Sequence, residues 1–277
     1  MSTHVWRKLG AAKWEDAWVE RLTGFADRLA ITSLPGAKTI RLEVFQLNKR
    51  EATSLHKMFG GTVAPQKKWA PTASAAPRPP IRVRGKLAVV SSEKERAALK
   101  DSVPALLIPA GMAFGTGEHA TTATCLRLLA DVSAELTGQR WEMLDLGCGS
   151  GILALAARLL GAAKCLAGDF DPHAVRVTKE NIRANALRGV IAQKLDVRSW
   201  RPPRTWQVVA ANIYSGILVE VAPVIAAAVA PGGRLVFSGI LRTQEEEVLA
   251  AFRASGLRID RIVRKGKWVA GRGLRVG

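Results

Sequence analysis

A glycine-rich loop that follows an apolar strand is the feature that most constrains the fold of this chain. Residues Met143–Gly151 read MLDLGCGSG. The apolar residues up to Leu146 predict a buried strand, and the glycines let the backbone turn tightly against a ligand before a helix begins at Ile152. An acidic residue, Asp169, follows eighteen residues after the loop, at the end of the next predicted strand. This order predicts two strands of a parallel sheet that share one binding edge.

The spacing of the glycines indicates which kind of ligand this edge binds. Gly147, Gly149 and Gly151 form G-x-G-x-G, whereas dinucleotide-binding loops read G-x-G-x-x-G and reserve a helix N-terminus for a pyrophosphate. A second glycine-rich segment, Ile108–Thr122, reads IPAGMAFGTGEHATT, and the Asp169 carboxylate can accept hydrogen bonds from both hydroxyls of a ribose. The alternative is a plain tight turn. Together these features favour a nucleoside cofactor without phosphates, S-adenosylmethionine rather than NAD.

Beyond residue 105 the sequence alternates between predicted strands and predicted helices. Strands are predicted at 105–108, 141–146, 164–169, 190–195, 206–211 and 233–238, and helices at 120–132, 152–160, 172–187, 216–230 and 243–255. Two final strands, near 257–264 and 267–270, flank a hairpin-like turn at Lys265-Gly266, so we expect one antiparallel strand. The repeated units predict an α/β fold with a doubly wound, mostly parallel sheet, the Rossmann-like architecture of class I methyltransferases. Gly147, Asp169 and Asn212 would then lie at the carboxyl ends of central strands.

The first seventy residues predict a small ferredoxin-like α+β domain with the order β-α-β-β-α-β. A core-facing helix is predicted by apolar residues at helical spacing, namely Trp14, Trp18, Leu22, Phe25 and Leu29. Asn48 with Glu51 predicts a capping box at the start of the second helix. Five prolines between Ala64 and Pro80 predict a semi-stiff connector. We therefore expect a substrate-recognition domain at 1–70, a linker and bridging segment at 71–104, and a cofactor-binding domain at 105–277.

Charge and cysteine content limit which partners and which cellular compartment we expect for this protein. The formal net charge is +18, and residues 1–100 carry 19 Lys and Arg against 8 Asp and Glu. RNA contact through the basic surface is one interpretation; arginine enrichment in a GC-rich genome is the other. Three scattered cysteines without C-x-x-C spacing predict neither a metal site nor a disulfide framework. Because no signal peptide or long apolar run is present, we expect a soluble protein of the reducing cytoplasm without membrane contact. We also expect a monomer.

Five motifs carry a resemblance to a known family. They are AFGTGEHATT at 113–122, DLGCGSGIL at 145–153, GDFDP at 168–172, ANI at 211–213 and SGIL at 238–241. With these motifs the chain resembles the ribosomal protein L11 methyltransferase family, protein-lysine methyltransferases of the bacterial cytosol. The first motif is the distinctive one, because generic methyltransferases share the second but rarely carry a Phe-Gly-Thr-Gly loop before it. The resemblance covers most of residues 105–277 and, more loosely, the N-terminal domain.

The resemblance implies which residues form the site. Those assigned to S-adenosylmethionine are Phe114, Thr116, Gly117, Thr122, Gly147, Gly149, Asp169 and Asn212. Asn212, beside the sulfonium, is also the first catalytic candidate, and His119 is the second, since it can position the incoming amine or simply order its loop. From the residues alone, Thr122 can instead cap a helix and Asn212 can be a strand-end turn residue. Asp171-Pro172 predicts a helix start rather than a ligand contact.

The implied reaction is the methylation of amines of a large-subunit ribosomal protein, on lysine side chains, with the N-terminal amine as a further acceptor. Alternatives are a methyltransferase for a lysine of a different protein, one for a nucleic acid, and a noncatalytic RNA-associated protein. Base-amine methyltransferases commonly carry Asn/Asp-Pro-Pro-aromatic, which Asn212-Ile-Tyr-Ser lacks. The chain departs from the family pattern at Tyr214, Ser215 and Ala120, and it lacks the aspartate that is usual before a Pro-Gly step at Ile108-Pro109-Ala110-Gly111. We therefore expect the acceptor pocket to differ more than the cofactor site.

Overall fold

The computed structural model describes residues 4–14, 17–18, 21–22, 25, 28–33, 38–65, 79–100, 103–109, 117 and 119–276. The chain divides into two compact units, Met1–Ala75 and Ala76–Gly277. Most of the predicted proline-rich connector, residues 66–78, lies outside the described residues. The predicted domain boundaries stay a prediction, and residues 79–107 group with the second unit.

The first unit contains one antiparallel sheet. Its elements are β1 (His4–Ala11), β2 (Leu29–Ser33), β3 (Thr39–Leu47), α1 (Lys49–Phe59) and β4 (Thr62–Pro65), with a 3-10 turn at Ala12–Trp14. The strand order β2-β3-β1-β4, with every pair antiparallel, agrees with the predicted ferredoxin-like fold. Asn48 and Glu51 form the predicted capping box of α1: Glu51 N–H donates to Asn48 Oδ1 and Asn48 N–H donates to Glu51 Oε2.

The prediction of a core-facing first helix is only partly correct. Most of that helix lies outside the described residues. Trp18 and Leu22 are buried, and Trp18 packs edge-on against the ring of Phe59. Trp14 was predicted to join this core but is 55% exposed, and Leu29 begins strand β2 instead of extending the helix. The helical spacing of apolar residues does not show where the helix ends. Leu29 instead pairs with strand β3.

A small three-stranded sheet opens the second unit. It consists of β5 (Ile81–Val83), β6 (Leu87–Val90) and β7 (Ala105–Leu107), with α2 (Glu93–Ala97) between the last two strands. The strand predicted at 105–108 was expected to belong to the doubly wound sheet, and this expectation is wrong, since β7 pairs in parallel with β6. Hydrophobicity shows that a strand is buried but not which strand it pairs with, and here β6 supplies a nearer partner in sequence.

The large sheet has seven strands. Its elements, in chain order, are α3 (Ala120–Glu135), β8 (Glu142–Leu146), α4 (Ile152–Leu159), β9 (Lys164–Asp169), α5 (Pro172–Ala184), β10 (Val190–Lys194), β11 (Trp206–Asn212), α6 (Ser215–Glu220), α7 (Ala222–Ala228), β12 (Val229–Leu241), α8 (Glu245–Ala254), β13 (Leu257–Lys265) and β14 (Trp268–Arg275). The strand order is β10-β9-β8-β11-β12-β14-β13. Strand β14 is antiparallel to both neighbours, which confirms the prediction of one antiparallel strand.

Two helix predictions in this unit need correction in their boundaries. The single helix predicted at 216–230 is two helices, α6 and α7, which meet at Val221. Pro223 explains the break, because proline has no backbone N–H to donate and its ring clashes with the carbonyl of the preceding turn. Helix α8 begins at Glu245, after a 3-10 turn at Arg242–Gln244, rather than at 243. Among the described residues, no helix is both long enough and apolar enough to span a membrane.

Candidate functional site

Three adjacent strands of the large sheet end side by side. In register, Leu146 of β8 pairs with Gly168 of β9 and with Ala211 of β11, so Gly147, Asp169 and Asn212 follow at one edge. The chain goes from β8 outward to β9 and β10 on one side and from β11 outward to β12 on the other. Ligands of open α/β sheets bind at such a reversal of strand order. The sequence prediction for these three residues therefore agrees with the topology.

The glycine loop after β8 depends on left-handed backbone conformations. Gly147, Gly149 and Gly151 have φ angles of 71°, 54° and 78°, which glycine adopts without the strain that other residues incur. Gly147 N–H and Cys148 N–H both donate to Gly168 O, at 2.8 and 3.1 Å, which ties the loop to the end of β9. The loop is thus held against the neighbouring strand while its outer side faces the edge where the strands end.

Helix α5 supports the same loop from behind. Thr178 Oγ1 donates to Gly149 O at 2.9 Å, and Asn181 Nδ2 donates to Ser150 O at 2.8 Å. Both side chains are buried, at 0% and 5% exposure, and the sequence analysis missed both. In the sequence they are recognisable only as two polar residues three apart on the face of α5 that is otherwise apolar and buried. These bonds fix the loop carbonyls, so the loop is preorganised.

Ile213, the first residue after β11, is held between two glycines. A Cβ atom at Gly147 would overlap Ile213 Cγ2, and a Cβ atom at Gly239 would overlap the backbone oxygen of Ile213. Gly147 and Gly239 both have positive φ, at 71° and 89°. The close approach of Ile213 to both glycines determines where Asn212, its neighbour in the chain, presents its side chain. Sequence analysis identified Ser238-Gly-Ile-Leu241 as a motif but not this contact.

The Asp169 carboxylate is 7% exposed and already accepts two backbone hydrogen bonds. Gly149 N–H donates to Oδ2 at 2.9 Å and Asp171 N–H donates to Oδ1 at 3.0 Å. Each carboxylate oxygen has a second lone pair, so the group can still accept bonds from two hydroxyls. Asp171 caps α5 through His173 N–H at 2.8 Å, with Pro172 in the first turn, which confirms the structural interpretation of Asp171-Pro172.

Asn212 and Thr122 meet across the edge of the sheet. Asn212 Nδ2 donates to Thr122 Oγ1 at 3.4 Å. Asn212 Oδ1 is buried, and no donor within the described part of the chain reaches it. Thr122 is 1% exposed and lies in the first turn of α3, but it is not the helix cap, because His119 occupies that position. An orphaned buried acceptor requires an explanation, and a hydrogen-bond donor on a bound ligand supplies one.

His119 has a clear structural contribution. Its Nδ1 atom lies 2.8 Å from Thr121 Oγ1 and accepts from Thr121 N–H at 3.4 Å, and its ring meets that of Trp268 at 5.0 Å, edge to face. These contacts order the start of α3. The catalytic role predicted for His119 stays a prediction.

The second glycine-rich segment is described only in part. Phe114 and Thr116 lie outside the described residues. Gly117 is buried with φ of 93°, and a Cβ atom there would lie 3.2 Å from Ile152 Cδ1, at the start of α4. Gly117 is therefore next to the helix that follows the first glycine loop. Tyr214, the only tyrosine, is 68% exposed immediately before α6.

The three cysteines are buried in the core. Burial raises the pKa of the Cys148 thiol well above its usual range, and its sulfur lies 3.5 Å from Thr178 Oγ1. A protonated buried thiol is a poor nucleophile, so the burial of Cys148 favours a packing role in the loop. Among the described residues, no group of three or more His, Cys, Asp or Glu side chains could hold a metal ion.

Asp145 is 1% exposed below the glycine loop, where its Oδ2 accepts from Ala154 N–H at 3.2 Å. Burial raises the pKa of Asp145 to about 7, and the nearby charge of Asp169 acts in the same direction, while the bond from Ala154 opposes it. The unfolded chain releases this proton near pH 4. Between these values the native state binds more protons than the unfolded state, so this group lowers the free energy of unfolding as the pH rises.

We therefore expect Asp145→Asn to gain stability over the wild type as the pH rises from 5 to 7. The gain should grow by up to about 1.4 kcal/mol per pH unit and level off above pH 7, because asparagine keeps an acceptor for Ala154 N–H and carries no charge. Urea unfolding of both proteins at pH 5, 6, 7 and 8 measures the difference. A stability difference that is constant across these pH values would contradict the raised pKa.

Comparison with known proteins gives a consistent result. Residues 6–275 match the family described as ribosomal protein L11 methyltransferase (PrmA). The ribosomal protein L11 methyltransferase of Pseudomonas putida (strain W619) is 44% identical over 192 residues, covering 69% of this chain and 62% of the relative. That of Pelobacter propionicus is 36% identical over 257 residues, covering 92% and 76%.

One solved structure adds a likeness of fold. The ribosomal protein L11 methylase of Lactobacillus delbrueckii subsp. bulgaricus is 27% identical, with a TM-score of 0.61, and the match covers 72% of this chain and 99% of that one. The chain spans less than two thirds of the length of the P. putida relative.

Proposed function

Since the chain belongs to the ribosomal protein L11 methyltransferase family, we propose that it transfers methyl groups from S-adenosylmethionine to amines of ribosomal protein L11. The acceptors are lysine side chains, with the N-terminal amine as a further acceptor. The observation that carries the proposal is the extent of the family match, which runs from residue 6 to residue 275 and so includes both compact units.

The geometry of the strand ends fits S-adenosylmethionine. Asp169 keeps acceptor capacity for the two ribose hydroxyls. Gly147 lets Ile213 pack directly against the glycine loop, because a Cβ atom at Gly147 would overlap Ile213 Cγ2. Asn212 Oδ1 is a buried acceptor for which the described residues supply no donor. When bound, S-adenosylmethionine supplies a methyl group on a positively charged sulfur, which a neutral amine can take directly.

The residues of the chain then have distinct tasks. Asp169 holds the ribose, and Thr122 orients the Asn212 amide through its Nδ2 group. Asn212 Oδ1 can accept a hydrogen bond from the incoming amine, which orients the nitrogen lone pair for in-line attack. An ordinary lysine has a pKa of about 10.4, so the amine must lose its proton first. A buried, uncharged acceptor such as Asn212 Oδ1 favours the neutral amine, because burial disfavours the ammonium form.

We assign substrate recognition to residues 1–70, which lie in the first compact unit, whereas the strand-end site lies in the second. RNA contact through the basic surface of this region and a monomeric state stay predictions. Two other acceptors remain as alternatives: a lysine of a different protein and an amine of a nucleic acid. Each predicts a different labelled product.

The test is methyl transfer from radiolabelled S-adenosylmethionine to purified ribosomal protein L11. We expect label in L11 with the wild type and a fall in kcat/KM of about 100-fold with Asn212→Ala, the size of effect seen when one preorganised polar group of an active site is removed. Gln139→Ala is the matched control, since Gln139 is an exposed amide just after α3, and it should keep wild-type activity.

A mixture of ribosomal proteins and ribosomal RNA serves as the competing substrate. Label confined to L11 supports the proposal. Label in another protein or in the RNA would replace L11 by one of the two alternatives, and equal activity of Asn212→Ala and the wild type would remove Asn212 from the reaction.

A further inference from the structure

A groove outside the strand-end site is lined by positively charged side chains. Helix α5 and the last residue of β10 enclose about 370 Å³ there, lined by Pro172, Val175, Arg176, Lys179, Arg183 and Lys194. Val175 is buried and forms an apolar floor, while the four cations are exposed. We call this feature the basic groove. None of the described residues assigned to the cofactor lines it.

The charges of the basic groove are largely unneutralised. Arg176 pairs with Glu180 at 2.8 Å and with His173 Nδ1 at 3.0 Å. Lys179, Arg183 and Lys194 have no side-chain hydrogen bond or ion pair with any residue in the described ranges. Like charges that lie close together repel each other, so an arrangement of this kind is stabilised when a polyanion binds.

The three cations on α5 follow one face of the helix. Residues three and four apart are neighbours on a helix surface, and a rise of 1.5 Å per residue separates Arg176 from Arg183 by about 10.5 Å along the axis. Phosphates of one DNA strand are about 3.4 Å apart along a duplex axis, and an extended single strand spaces them further apart. This face can therefore contact about two or three successive phosphates of a single strand. Lys194, the last residue of strand β10, adds a fourth cation. It pairs in register with Asp169 of β9.

We propose that the basic groove binds the phosphodiester backbone of RNA. The surrounding unit has the matching charge, since residues 76–277 carry 29 Lys and Arg against 17 Asp and Glu. None of the described residues that line the groove has an aromatic ring on which a base could stack. We therefore expect the contact to be to phosphates and to be independent of base sequence. A nucleic-acid strand carries a phosphate at every nucleotide, so a single strand can pair with several of the four cations. The binding does not require methyl transfer and goes beyond the proposed function.

Fluorescence anisotropy with a labelled 20-nucleotide single-stranded RNA of mixed sequence tests the proposal, in 50 to 200 mM KCl. The groove variant is Lys179→Gln/Arg183→Gln/Lys194→Gln. The matched control is Lys164→Gln/Arg258→Gln/Lys265→Gln, which removes the same charge from exposed cations outside the groove. We expect at least a 10-fold loss of affinity for the groove variant and less than 2-fold for the control. Three lost phosphate contacts should also reduce the slope of log affinity against log salt by about 2.

Two further measurements make the result specific. Both triple variants should keep the wild-type midpoint of thermal unfolding and should bind S-adenosylhomocysteine within 2-fold of the wild type, because none of the substituted residues is assigned to the cofactor. Equal loss of RNA affinity in the two triple variants would overturn the proposal in favour of diffuse charge. Absence of RNA binding by the wild type at 50 mM KCl, or displacement of RNA by polyglutamate at an equal concentration of charge, would overturn it as well.

Discussion

Replacing Asp169 with asparagine should lower the affinity for S-adenosylhomocysteine by at least about 100-fold, the effect expected for losing charge-assisted hydrogen bonds to two hydroxyls. The carboxylate is the one acidic group at the end of β9 that also contacts the glycine loop, through Gly149 N–H. Asparagine has one acceptor oxygen and an NH₂ group in place of the second, so it cannot accept from both ribose hydroxyls while it serves Gly149 and Asp171. Isothermal titration calorimetry measures the change.

A loss of affinity alone would not distinguish ribose binding from loop support. The discriminating ligand is the 2′,3′-dideoxy form of S-adenosylhomocysteine, which lacks the two hydroxyls. If Asp169 binds the ribose, the wild type should discriminate strongly between the two ligands, whereas Asp169→Asn should bind both with similar affinity. If Asp169 only supports the loop, both proteins would show the same ratio of affinities, and the assignment would be wrong.

Asp171→Asn is the matched control for this substitution. Asp171 lies two residues further along, and its Oδ1 caps α5 by accepting from His173 N–H. Asparagine is as good a helix cap as aspartate, so Asp171→Asn removes the same charge without removing the cap. We expect its ligand affinity to stay within 2-fold of the wild type, which separates the local role of Asp169 from a general electrostatic effect.

Sequence reasoning predicted the strand-end site because its signals are local. Each of Gly147, Asp169 and Asn212 directly follows an apolar run, and the rule that ligands bind at the carboxyl ends of parallel strands brings them together without any knowledge of side-chain packing. The helix start at Asp171-Pro172 and the capping box at Asn48 were predictable for the same reason, since a cap is a contact between residues two or three apart.

The rest of the site depends on contacts between residues distant in sequence. Thr178 and Asn181 reach the glycine loop from 29 and 31 residues away. A pair of polar residues three apart on a helix is a weak signal, because the spacing alone does not identify the loop that the pair contacts. The same holds for Ile213 between Gly147 and Gly239. Strand β7 was predicted as a strand and given the wrong sheet, because burial of a short apolar run does not reveal its partner.

Replacing Gly147 with alanine should have the second large effect, on stability and on ligand binding together. Gly147 has φ of 71°, where a side chain costs about 1–2 kcal/mol, and the new methyl group would overlap Ile213 Cγ2. Overpacking of this kind costs about a further 1–3 kcal/mol. We expect a loss of about 2–5 kcal/mol in the free energy of unfolding by urea denaturation, and a loss of at least 100-fold in affinity for S-adenosylhomocysteine.

Gly232→Ala separates the cost of the backbone conformation from the cost of the overlap with Ile213. Gly232 has nearly the same φ angle, 70°, but a Cβ atom there meets nothing within 4 Å. It should therefore lose only the conformational part, about 1–2 kcal/mol, and keep its ligand affinity. Because the methyl group at Gly147 must displace Ile213, and Asn212 precedes Ile213 in the chain, the excess effect of Gly147→Ala measures how strongly the glycine loop positions Asn212. If the two alanine variants lost stability equally and both kept their ligand affinity, the contact between Gly147 and Ile213 would have no part in shaping the site.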